Sequence, residues 1–143
     1  MAGVDVSVRS DLPPDDAWAM ASDLSRFDEW MTIFAGWKSP LPKEVELGTK
    51  VSSLIKVKGF RNTIHWTVTR YEKPQLLELS GRGRGGVHID IELKVTPDGD
   101  GSVFDLGASI SGGVLNGPIG NLVARVIDSD VRRSVDNLVA MRS

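Results

Sequence analysis

The feature that most constrains this fold is the last stretch of the chain, Gly117 to Met141, which reads as one long helix. Pro118 stands where a first helical turn tolerates it, having no amide hydrogen to leave unpaired, and no glycine or proline follows Gly120. At about 100° per residue, Ile119, Leu122, Val123, Val126, Ile127, Val131, Leu138 and Met141 fall on one face. Arg125, Asp128, Ser129, Arg132, Arg133 and Asp136 fall on the other. At about 1.5 Å per residue such a helix is about 35 Å long, enough to lie across several strands. Asp130 interrupts the apolar stripe, with Ser134 beside it, so a carboxylate points at whatever the helix packs on.

What precedes the helix is mostly strand. Val4, Val6 and Val8 alternate with polar neighbours, the period of a strand with one buried face. Asp11 and Pro13-Pro14-Asp15-Asp16 then open a short helix carrying Ala17, Met20, Ala21 and Leu24. Ser25 with Asp28 suggests a cap for a second, very short helix bearing Phe27, Trp30 and Met31. Between Ile33 and Gly48 no period survives, and at most a brief strand is expected around Trp37. Antiparallel strands follow: Val51 to Val57, a break at Gly59, Ile64 to Val68, a turn at Lys73-Pro74, Leu76 to Gly81, Val87 to Val95, and Phe104 to Ile110. Pro97-Asp98-Gly99-Asp100-Gly101 supplies strong turn chemistry before the last of these. The class is therefore α+β: a curved antiparallel sheet of about seven strands wrapped around a long C-terminal helix, with two short helices between strands 1 and 2. A straight helix cannot touch a curled sheet everywhere, so a mostly apolar cavity between them is expected.

Composition narrows the function. The 143 residues suit one domain spanning 1–143. Opposite charges nearly balance, at a formal net charge of −2, so no global field recruits DNA or anionic lipid. There is no cysteine for a disulfide or thiol chemistry. The opening Met1-Ala2-Gly3-Val4-Asp5 lacks a signal peptide's regions, which makes the cytoplasm the expected location. No apolar run approaches the roughly 20 residues of a membrane span.

With those elements placed, the chain resembles the START-like helix-grip superfamily, which includes lipid-transfer domains, birch-pollen-allergen relatives and the polyketide cyclase/dehydrase group. The residues that carry the likeness are Pro13-Pro14-Asp15-Asp16-Ala17-Trp18, Asp23-Leu24-Ser25-Arg26-Phe27-Asp28-Glu29-Trp30 and Gly117-Pro118-Ile119-Gly120. Together with Gly81-Arg82-Gly83-Arg84-Gly85-Gly86-Val87, they look closest to a bacterial branch known as the toxin half of type II toxin-antitoxin pairs. The resemblance implies the fold and a cavity, and it adds an antitoxin protein as a possible partner. It does not assign an activity, because function does not follow fold.

Three motifs bear on chemistry. The glycines of Gly81 to Gly86 match a dinucleotide pattern, but a strand follows them where that motif needs a helix. The segment reads instead as a mobile hairpin with exposed Arg82 and Arg84, which rim the cavity mouth or meet an anionic ligand or RNA in a weaker reading. His65 and His88 sit out of phase with the apolar residues of their strands and should face solvent, and no Asp or Glu joins them at ligand spacing. No metal and no cofactor is expected. Trp66 is in phase with Ile64 and Val68, whereas Trp30 and Trp37 flank the irregular passage and suggest a lid.

The first functional expectation is a binder of a small, largely hydrophobic molecule, lipid or polyketide-like, held between sheet and helix. Its candidate lining is Phe27, Trp30, Trp37, Ser53, Ile55, Trp66, Leu79, Ile91, Phe104, Leu122, Val126, Asp130 and Ser134. Asp130 needs a donor, a proton or water, and a bond to Ser134, Ser53 or a Trp indole would satisfy it without any ligand. The alternatives are a toxin neutralised by a partner, and a cyclase or dehydratase with Asp130 as the catalytic acid/base.

Overall fold

In the computed structural model, residues 2–57, 60–112 and 118–141 are described, with side chains described at all of these except 2, 57, 60, 118–124, 126 and 127. The expected break at Gly59 and the start of the last helix at Gly117 lie outside them. The order is β1 (Ala2–Ser10), α1 (Pro14–Ala21), a 3₁₀ turn (Leu24–Arg26), α2 (Phe27–Trp30), β2 (Phe34–Trp37), β3 (Lys50–Val57) and β4 (Phe60–Glu72). It continues with β5 (Leu76–Arg82), a 3₁₀ turn (Arg84–Gly86), β6 (His88–Asp98), β7 (Gly101–Ser111) and α3 (Pro118–Ala140).

The seven strands form one antiparallel sheet in the order β1-β7-β6-β5-β4-β3-β2, curled into a half-barrel. The curl has local causes. β4 carries an irregularity between Val68 and Arg70, and β2 another between Phe34 and Trp37, and such bulges bend a strand and sharpen its twist. Alternation then sorts the faces: Ile89, Ile91, Leu93 and Val95 of β6 are all buried on the concave side, as are Phe104, Leu106 and Ile110 of β7. Val131, Val135 and Leu138 of α3 are buried in turn, while Arg125, Arg132, Arg133 and Asp136 are exposed. The helix lies along β1 and also meets β7 and α2.

Two local readings of the sequence are corrected. The short helical segment is capped by Asp23, whose carboxylate accepts from the Ser25 amide at 3.0 Å and the Ser25 hydroxyl at 2.6 Å, and not by a Ser25–Asp28 arrangement. The extended backbone of Asp23 puts its side chain over the amide two residues on, which Ser25 cannot do from within the turn. The Gly81–Gly86 segment is a pinned turn, not a mobile hairpin. Buried Asn62 accepts from the Arg84 amide and donates to the Arg84 carbonyl, both at 3.1 Å. A Cβ on Gly81 would stand 2.5 Å from Ile64 Cγ2 and 2.6 Å from Trp66 Cε3. Glycine is required there because β4 side chains lie flat against the β5 backbone.

Candidate functional site

The polar centre of the interior is built by α3 and the link between α2 and β2. Thr32 Oγ1 donates to Asp130 Oδ1 at 3.0 Å, the Thr32 amide donates to Ser134 Oγ at 3.0 Å, and the two hydroxyl oxygens are 3.3 Å apart. One helical turn separates Asp130 from Ser134, which lets both reach the same residue. Arg133 Nη1 approaches Asp130 from the solvent side at 3.7 Å, and the Asp130 side chain keeps only 17% of its surface exposed. The donor that satisfies this carboxylate is therefore Thr32. None of the donors expected from the sequence (Ser134, Ser53 or a Trp indole) fills that role.

Next to this trio lies a pocket lined by Met31, Ile33, Ile91, Leu106, Ala108, Asp130, Val131 and Ser134. Its wall is apolar except at Asp130 and Ser134, and its volume is about 20 Å³. That is room for about one water molecule, far below the several hundred Å³ of an ordinary small-molecule site. This pocket is therefore far smaller than a guest of that kind requires, and the side chains of the first turns of α3 lie outside the described residues.

Of the candidate lining, the structure brings Ile91, Asp130 and Ser134 together at this pocket. The others are placed elsewhere. Trp66 Nε1 donates to Ser53 Oγ at 2.8 Å, both groups being buried, so this pair is a satisfied core contact. Ile55, Leu79 and Phe104 are buried in the core without lining the pocket. Leu122 and Val126 lie outside the described side chains. Trp30 and Trp37 join Phe27 and Phe34 in an aromatic cluster, Phe27–Trp30 centroids 5.3 Å apart and Phe34–Trp37 centroids 4.9 Å apart. Trp37 Nε1 donates to the Leu24 carbonyl at 2.8 Å, whereas buried Trp30 Nε1 has no partner among the described residues. Thr32 and Ile33 were missed because they fall where the hydrophobic period stops, and Met31 was read only as packing on the second short helix, but Leu106 and Ala108 were legible in the alternation of β7.

The histidines are outside, as their phase required. His65 Nδ1 is 2.9 Å from Ser52 Oγ, and His88 Nε2 is 3.1 Å from both Asp90 carboxylate oxygens. His88 and Asp90 meet because residues two apart on a strand share a face. On the surface a roomier cleft of about 540 Å³ runs between the end of α1, residues 41–45, and Tyr71 and Lys73. Its lining shares no residue with the interior pocket.

A curled antiparallel sheet gripping a long C-terminal helix is the helix-grip architecture of START-like proteins. Solved structures agree on the fold: a START superfamily protein from Mycobacterium smegmatis superposes with a TM-score of 0.76 at 11% identity, covering 98% of both chains. The protein TTHA0849 from Thermus thermophilus gives 0.74 at 14% identity, covering 96% of this chain and 94% of that one. The chain belongs to the polyketide cyclase / dehydrase and lipid transport family, which matches residues 1–141. Toxin Rv0910 of Mycobacterium tuberculosis is 43% identical over 141 residues, 99% of this chain and 98% of its own. No helix among the described residues is long and apolar enough to cross a membrane.

Proposed function

We propose that this protein binds a small, largely apolar molecule, lipid or polyketide-like, between the sheet and α3, acting in the cytoplasm as one domain. The observation that supports this is the pocket at Asp130, apolar on all sides but one, with its polar groups gathered at a single edge. Such an arrangement orients a guest: the apolar body packs on Ile91, Leu106 and Val131, and a hydroxyl or carbonyl meets Ser134 and Asp130. Because the pocket holds about one water, uptake requires side chains around it to give way, and binding is coupled to opening. An enzyme of the cyclase or dehydratase kind is the poorer reading. Asp130 is the one titratable side chain on the described lining, and its carboxylate is already engaged by Thr32. The test is native mass spectrometry of the purified protein, with and without added palmitate. A consistent bound mass, or a one-to-one palmitate adduct lost in Asp130→Ala at unchanged melting temperature, supports binding. An empty protein that takes up neither refutes it.

A second reading is favoured by the identity to Toxin Rv0910: the chain inhibits growth and is neutralised by an antitoxin partner. Induced expression in a bacterial host, alone and with any small reading frame found beside its gene, decides this. Unaltered growth on strong expression counts against it.

A further inference from the structure

The balanced net charge conceals a segregated surface on the convex face of the sheet. Cross-strand register places Lys56 of β3 directly opposite Arg61 of β4. Two rows along, it places His65 of β4 opposite Arg82 of β5, and Arg82 opposite His88 of β6. Arg84 follows on the turn that Asn62 clamps. Lys56, Arg61, Arg82 and Arg84 are exposed, and among the described residues none of the four has an ion-pair or hydrogen-bond partner for its side chain. The acid in contact with a member of these rows is Asp90, which meets His88.

Like charges directly opposite one another destabilise a sheet. Elsewhere on this face the same arrangement is relieved: Glu78 faces Glu92, but Thr69 donates to Glu78 and Lys94 lies 3.6 Å from Glu92. Lys56, Arg61, Arg82 and Arg84 have no such relief among the described residues, and the turn carrying Arg84 is clamped by buried Asn62. Uncompensated charge on a preorganised support is the signature of a surface that meets an anion. Guanidinium groups suit phosphate, which they can grip through two parallel hydrogen bonds.

We infer that this strip binds the phosphate backbone of a single RNA strand, independently of any guest in the interior. Two observations select the occupant. The strip is narrow, three strand spacings or about 14 Å from β3 to β6. Asp5, Glu78, Asp90 and Glu92 border it on the same face, so a flat anionic bilayer would meet both fields whereas a linear polyanion can follow the cationic one. Among the described residues the one exposed large apolar side chain is Leu47, which leaves no apolar side chain on the strip to insert into lipid. Recognition rests on the backbone phosphates, weak and indifferent to sequence.

The experiment is fluorescence anisotropy of a labelled 20-nucleotide uridine strand titrated with the full chain at 50 and 200 mM salt. Saturable binding in the range of about 1 to 100 μM at the lower salt is expected. Arg82→Ser and Arg84→Ser should each weaken it several-fold and make the salt dependence shallower by about 0.7 in log–log slope. Both side chains are exposed, and unchanged thermal melting of each variant excludes unfolding as the cause. Absence of saturable binding, or an R82S/R84S double variant that binds like the parent, overturns the inference. So does sedimentation of the protein with phosphatidylcholine/phosphatidylserine vesicles without RNA binding, which would reassign the strip to a membrane surface.

Discussion

Thr32→Val asks whether the polar trio holds α3 against the α2–β2 link. Valine keeps the branched shape and nearly the volume of threonine while removing the one hydroxyl proton that Asp130 Oδ1 accepts at 3.0 Å. A hydrogen bond to a charged group contributes about 1.5–3 kcal/mol. Asp130 retains 17% of its side-chain exposure and has Arg133 at 3.7 Å, so water and a cation compensate in part and the lower end applies, about 1.5–2 kcal/mol. For a chain of this size that corresponds to a fall in melting temperature of about 5–7 °C. Thr32→Ser, which restores the donor, should recover most of the loss. Hydrogen exchange adds a local readout, because the Thr32 amide donates to Ser134 Oγ and should exchange faster in the valine variant. A T32V protein within about 0.5 kcal/mol of the parent, or a T32S protein as weak as T32V, would refute the assignment.

Four further outcomes follow from the same geometry. Gly81→Ala must push a Cβ into Ile64 and Trp66, and an overpacking cost of about 1–3 kcal/mol with altered tryptophan emission is expected in urea unfolding. Trp66→Phe should cost about 1 kcal/mol more than Trp30→Phe, since the first orphans Ser53 and the second removes a donor that has no partner; equal losses would contradict it. Leu138→Ala, at a site with no exposed surface, should cost about 2–5 kcal/mol by calorimetry. The Arg26 guanidinium, hydrogen-bonded to Glu29, holds that carboxyl below the usual carboxylate range. Its contribution to stability is complete above the ordinary glutamate pKa and fades as pH falls through the lowered one, so Arg26→Ala should move the Glu29 NMR titration midpoint upward.

Regular elements were legible because their signals are local. The alternation from Val87 to Val95 gave β6 with its buried face, and Pro118 with the apolar stripe gave α3. Asp130 stood out as a carboxylate on that stripe, but its partner did not: Thr32 lies in an aperiodic link, and its distance from Asp130 in the chain carries no pattern. The Gly81–Gly86 turn read as loose because glycine content is visible in a sequence while Trp66 lying over Gly81 and Asn62 gripping Arg84 are not. Net charge misled in the same way. Lys56 meets Arg61, and Arg82 meets His65 and His88, through the register of four strands, and a sum over the chain erases their grouping.

The pairing of β1 with β7 has a consequence for biosynthesis. β1 is made before the other strands of its sheet, and among the described residues its one sheet neighbour is the last of them, Val8 lying against Phe104 and Val4 against Ala108. At about 5–20 residues per second, the roughly one hundred residues between them leave β1 unmatched for about 5–20 s, with its valines and both hydrogen-bonding edges exposed. Arg9 and Asp5 on this strand are charges of the kind that discourage association with a stranger while the rightful neighbour is still being made.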